Sequence, residues 1–124
     1  MKAPRLAFLL GLLLISTAWA GNVQPPLRDG EYMFQHKYAE AEHYRIKSIE
    51  VLVQISGNHV VVINTTRSDV FPMGVLEEGT LMWHSESGRW IIGTAPSDSD
   101  AEEVGGCTDG PTVIDLQNRI YWTC

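Results

Sequence analysis

Ile46-Lys47-Ser48-Ile49-Glu50-Val51-Leu52-Val53-Gln54-Ile55 is followed by Ser56-Gly57-Asn58 and then by His59-Val60-Val61-Val62-Ile63. In the first run Ile49, Val51, Val53 and Ile55 share one face, and Ser48, Glu50, Leu52 and Gln54 share the other. That is the period of two that a half-buried strand requires. Ser, Gly and Asn favour a turn, because Gly and Asn tolerate positive φ. The Val- and Ile-rich run after it suits a pleated, packed surface. Residues 46–63 therefore predict a β-hairpin, and the fold is built outward from it.

Upstream, Glu31 to Tyr38 alternates again. Tyr32, Phe34, His36 and Tyr38 lie on one face, and Glu31, Met33, Gln35 and Lys37 on the other. Tyr38 to Tyr44 contains good helix formers but is short, and isolated short helices are marginal; one turn, or part of a long connection, is expected there. Downstream, Asn64 to Gly74 reads as a loop and Val75-Leu76 as a short strand ending before Glu77-Glu78-Gly79. Thr80–His84 and Arg89–Gly93 form a second hairpin across Ser85 to Gly88. Thr94 to Gly106 reads as a long polar loop. Thr112–Leu116 and Arg119–Thr123 make a third hairpin turned at Gln117-Asn118. Short strands with regular turn signals, joined as consecutive hairpins, predict an all-β fold. The expected architecture is a small antiparallel barrel or sandwich of about seven or eight strands in mostly meander order.

Residues 1–20 have the form of a cleavable secretory signal peptide. Lys2 and Arg5 supply positive charge, Leu6 to Ile15 an apolar stretch, and Ala18-Trp19-Ala20 a small-x-small cleavage pattern. The apolar stretch falls short of the roughly 20 residues that span a bilayer, so no membrane insertion is expected after cleavage. Residues 21–124 are then one β-rich domain, periplasmic or secreted, with Gly21 to Pro26 as a loose lead-in. The chain has 9 basic and 15 acidic residues; losing Lys2 and Arg5 leaves seven against fifteen, a net charge of −8. Such a surface repels nucleic acid and anionic lipid and suits solubility or a cationic partner. Export places the two cysteines, Cys107 and Cys124, where thiols oxidise. One disulfide closing the C-terminus, worth roughly 3 kcal/mol by chain entropy, is expected.

Chemistry is sparse in the sequence. His36, His43, His59 and His84 have no metal-site spacing, and Cys107 and Cys124 form no close ligand pair, so no metal or other cofactor is expected. The loop Asp98-Ser99-Asp100-Ala101-Glu102-Glu103 resembles the start of a calcium loop but lacks its central Gly and distant Glu. Gly105-Gly106-Cys107 and Asp109-Gly110-Pro111 read as tight turns beside the disulfide. Asn64-Thr65-Thr66 matches the N-glycosylation sequon, although the leader looks bacterial and no glycan is expected. No nucleophile elbow, zinc-protease motif or phosphate-binding loop is present, and no catalytic residue can be named.

The aromatic residues are the most suggestive feature. Trp83, Trp90 and Trp122 are expected in the core, their polar atoms at its rim. Of Tyr121 and Trp122, neighbours on one strand, one should point outward or into a cavity. The face bearing Tyr32, His36 and Tyr38 is the expected exposed face, and with Asp98, Asp100, Glu102 and Glu103 it makes up the candidate binding set. A leader followed by a small disulfide-closed β domain resembles, in outline, the periplasmic lysozyme inhibitors and the lipocalin-like barrels. No motif of either is found, so no residue role is carried over. The first functional expectation is a non-enzymatic domain that binds another protein, such as an inhibitor or immunity protein of the cell envelope, with the acidic loop steering a cationic partner. The alternatives are a small-ligand barrel whose mouth is lined by Tyr32, Phe34, His36 and Trp83, and an enzyme whose site assembles only in three dimensions.

Overall fold

The central hairpin forms as its alternation requires: β2 (Glu50–Ser56) and β3 (His59–Asn64) pair antiparallel across Gly57-Asn58, with Ser56 opposite His59. The computed structural model describes residues 23–39, 49–69 and 71–124. The leader read over residues 1–20 lies outside the described residues, as does most of the short helical stretch; Tyr38 itself ends a strand.

Around the hairpin, β1 (Gly30–Tyr38), β4 (Gly74–His84), β5 (Arg89–Gly93), β6 (Thr112–Asp115) and β7 (Ile120–Thr123) complete one sheet in meander order, closed into a barrel. Every consecutive pair is antiparallel. Seven is odd, so the first and last strands of the meander point the same way, and β1 and β7 close the ring in parallel register from Gln35–Ile120 to Tyr38–Thr123. Closure pairs the first and last strands with each other, so neither is left as an open sheet edge. The disulfide between Cys107 and Cys124 forms as expected, with its Cα atoms 4.7 Å apart. It ties the end of β7 to the connection that precedes β6.

Phe34, Val51, Val53, Ile55, Val60, Val62, Leu81, Ile92, Ile114, Leu116 and Tyr121 fill the barrel. A barrel this small has room for side chains and little else. The face of β1 expected to be exposed points inward instead. Register explains it: Tyr32 lies opposite Val53 and Phe34 opposite Val51, so the β1 aromatics sit on the same side as the Val and Ile set of β2. Glu31, Met33 and Lys37 are the exposed residues.

A second difference concerns β4, one strand of 11 residues where a loop, a short strand and a turn were expected. Two local features carry it through Glu77-Glu78-Gly79. The register slips between Val62 and Ile63, which face Glu77 and Val75, so Leu76 is an extra residue that packs against the core. Gly79 is not turn punctuation: a Cβ there would lie 2.5 Å from the Gly93 carbonyl oxygen, so only glycine lets β4 approach β5. The long 94–106 loop contains a 3-10 turn, Pro96–Asp100.

Candidate functional site

Side chains that point away from the barrel divide into a covered face and a bare one. On β5 and β6, Ile91 lies opposite Val113, outside the core cluster. They are 0% and 4% exposed because the connection from β5 to β6 lies over them. A Cβ on Gly105 would sit 2.6 Å from Val113 Cγ2. His84 Nε2 donates to the Ala101 carbonyl at 2.7 Å, while Nδ1 accepts from the Ser87 amide. Gly105 and Gly106 have φ of 67° and 58°, which agrees with the turn reading of the Gly105-Gly106-Cys107 corner.

The bare face runs across β1 to β4. Met33 faces Leu52, Leu52 faces Ile63, and Ile63 faces Val75. Each residue alternates with inward neighbours, so the four form a single cross-strand row on the outside. Met33 is 45% exposed and Val75 60%, with Leu52 and Ile63 half-buried between them. The next row is Glu31, Gln54, Val61 and Glu78; on the other side Gln35 faces Glu50. Gln54 donates to Glu31 at 2.9 Å, and His59 Nε2 lies 2.7 Å from Glu78 Oε1. The result is an apolar strip flanked by Glu31, Glu50 and Glu78, with Lys37 the basic residue nearby on the same face of β1.

The candidate residues are thus dispersed. Tyr32 is half-buried; its hydroxyl donates to the Arg28 carbonyl at 2.7 Å, and Arg119 stands over its ring at 5.2 Å. His36 is fully buried among Tyr38, Phe71 and Tyr121. Its Nε2 is 2.6 Å from Thr123 Oγ1, and Nδ1 has no hydrogen-bond partner among the described residues. Desolvation lowers its pKa to about 4. An imidazole beside a hydroxyl is the arrangement of a base and a nucleophile, but neither residue lines any of the four main clefts. Tyr121 points inward and donates to Glu77 at 2.9 Å, and burial, reinforced by that carboxylate, raises its pKa. Trp122, expected in the core, faces outward instead and is half-buried, because its strand neighbour Tyr121 takes the inward position.

Of the four loop acids, Asp98 is already used. Its carboxylate accepts from the Thr94 and Ala95 amides at 2.7 and 3.1 Å, bonds that hold its pKa below the ordinary carboxylate range. Asp100, Glu102 and Glu103 are exposed. Among the described residues no group of three or more His, Cys, Asp or Glu side chains could hold a metal. Core side chains fill the described interior, and of Tyr32, Phe34, His36 and Trp83, expected around a mouth, only Trp83 lines one of the four main clefts. The sequon asparagine, Asn64, is buried and donates to the Phe71 and Pro72 carbonyls, both at 3.2 Å. No family model matches the chain, and no curated protein or solved structure matches it.

The bare row is not visible in the sequence, because each strand contributes only one or two apolar residues to an otherwise polar face. Only the register across four strands brings them into line.

Proposed function

We propose that this chain is an exported, non-enzymatic domain that binds a cationic protein of the cell envelope or its surroundings, as an inhibitor or immunity protein does. The observation that carries the reading is the bare row Met33–Leu52–Ile63–Val75 between carboxylates. An apolar centre with a polar rim is the usual anatomy of a protein interface. The chain covers Ile91 and Val113 with its own β5–β6 connection, whereas no described residue covers Met33 or Val75. The charge of the rim selects the partner: a second copy would bring Glu31, Glu50 and Glu78 against one another, whereas a partner with an apolar strip edged by Lys and Arg would neutralise them. Asp100, Glu102 and Glu103, on the covered side, add to the negative field that draws such a partner in. The disulfide fits an oxidising compartment, and no helix among the described residues is long and apolar enough to cross a membrane.

The test immobilises the oxidised domain, 21–124, beside a Met33→Ser/Ile63→Ser/Val75→Ser variant and passes host envelope extract over both at moderate salt. A basic protein retained near one-to-one by the native domain and lost by the variant is the expected result. Equal retention by both, or retention of nothing, would contradict it.

A further inference from the structure

At the opposite side of the barrel the wall splits. The β5–β6 ladder is in register only at Ile91–Val113 and Ile92–Thr112. Continued by one step and then another, it would pair Trp90 with Ile114 and Arg89 with Asp115. Instead these four residues line a cleft of about 410 Å³, together with Trp83 and Trp122. Trp83 and Trp90 are a cross-strand pair whose rings meet edge to face, with centroids 5.3 Å apart, and they form a corner. Trp122 comes from the outer face of β7. The floor is aliphatic, made by the buried Ile114 and Leu116. Along the rim, the Asn118 backbone and side-chain amides both donate to the Asp115 carboxylate at 2.9 Å, which fixes the turn and its polar groups.

From this lining we infer a carbohydrate site: the cleft takes one or two rings of a neutral saccharide. The volume lies within the range of small-molecule sites, about 300–1,000 Å³. A pyranose has a flat C–H face and an edge of hydroxyls. Indole walls match the first by stacking. The Arg89 guanidinium fork can engage two adjacent hydroxyls, and the remaining lone pairs of Asp115 and the Asn118 Oδ1 and second amide hydrogen can meet others. The rim argues against other occupants. An aliphatic chain would desolvate Arg89 and Asp115 without hydrogen bonds in return. A cation would meet the Arg89 guanidinium, and an anion the Asp115 carboxylate. This site is on a different side from the row Met33–Val75 and does not depend on the protein-binding reading.

The experiment titrates the oxidised 21–124 domain, isotope-labelled, with chitotetraose, cellotetraose, maltotetraose and xylotetraose in turn, following the indole N–H resonances of the three tryptophans. At least one sugar is expected to shift those resonances saturably. Arg89→Ala, at an exposed position, should keep the rest of the spectrum and weaken binding by roughly fivefold or more, equivalent to about 1 kcal/mol. Trp122→Ala should do the same, which guards against a fold defect in either variant. Absence of shifts with all four sugars would overturn the inference. So would shifts that map away from β5–β7, or undiminished affinity in both folded variants.

Discussion

Two outer surfaces of one barrel carry the same kind of side chain and are finished differently. Over β5 and β6 the chain folds back on itself, and Ile91 and Val113 become as buried as the core. Over β1 to β4 nothing among the described residues covers Met33 or Val75. Intrinsic hydrophobicity does not separate the two. What separates them is the connection 94–111, held by the Asp98 cap, the Gly105-Gly106 corner and the disulfide. A long segment lies over one apolar surface, and no described residue lies over the other.

The contrast breaks most severely at Gly110. A Cβ there would lie 1.7 Å from the Glu103 carbonyl oxygen, so Gly110→Ala forces the covering connection off its path. The expected loss is about 4 kcal/mol or more, in the range reserved for such clashes. A urea midpoint equal to the native one would show that the connection is not held in this way.

Removing the disulfide tests the same cover more gently. Cys107→Ser/Cys124→Ser should lower stability by about 3 kcal/mol. Amide exchange should quicken on β2 and β3 by no more than this global loss, and should quicken further at Ile91 and Val113, where release of the cover adds local opening. Uniform quickening would mean that the bridge stabilises the whole barrel rather than its cover.

Acid sensitivity distinguishes the interior from both surfaces. His36 has a folded pKa of about 4 against an ordinary 6.5, so the folded state resists the proton that the unfolded chain accepts. Its contribution is complete above pH 6.5, declines as pH falls towards 4, and amounts to about 3 kcal/mol across that window. His36→Gln should flatten the stability profile between those limits. If the native slope persists in the variant, another group is responsible.

The smallest effect is the most informative about the comparison. Ile91→Ala, on the covered surface, should cost about 2–3 kcal/mol. Val75→Ala, on the bare one, should change stability by less than about 0.5 kcal/mol. Equal losses at the two positions would erase the distinction.

Much of the architecture was legible from residues 46–63 and from the two later hairpins, because alternation and turn chemistry are local. The continuity of β4 was not, because it depends on how close Gly79 comes to Gly93 on the neighbouring strand. Nor was the inward face of β1: a period of two defines two faces without saying which is inside, and large rings on one of them looked like a binding surface. The partners of β1 decide the matter through register. The bare row was hidden for the same reason, since Met33, Leu52, Ile63 and Val75 are 42 residues apart from first to last in the chain and adjacent only in the sheet. The aromatic cleft was hidden by the expectation that Trp83, Trp90 and Trp122 fill the core; all three are half-buried and line the cleft instead.

We propose the bare row as a binding surface for a cationic, apolar-edged partner. Its most direct test follows backbone amide resonances of the labelled domain during titration with an extended peptide of alternating Leu and Lys, and with its Leu-Glu counterpart. Saturable shifts centred on Met33, Leu52, Ile63 and Val75 are expected with the basic peptide and none with the acidic one. Shifts spread over the whole acidic surface, or equal responses to the two peptides, would contradict it.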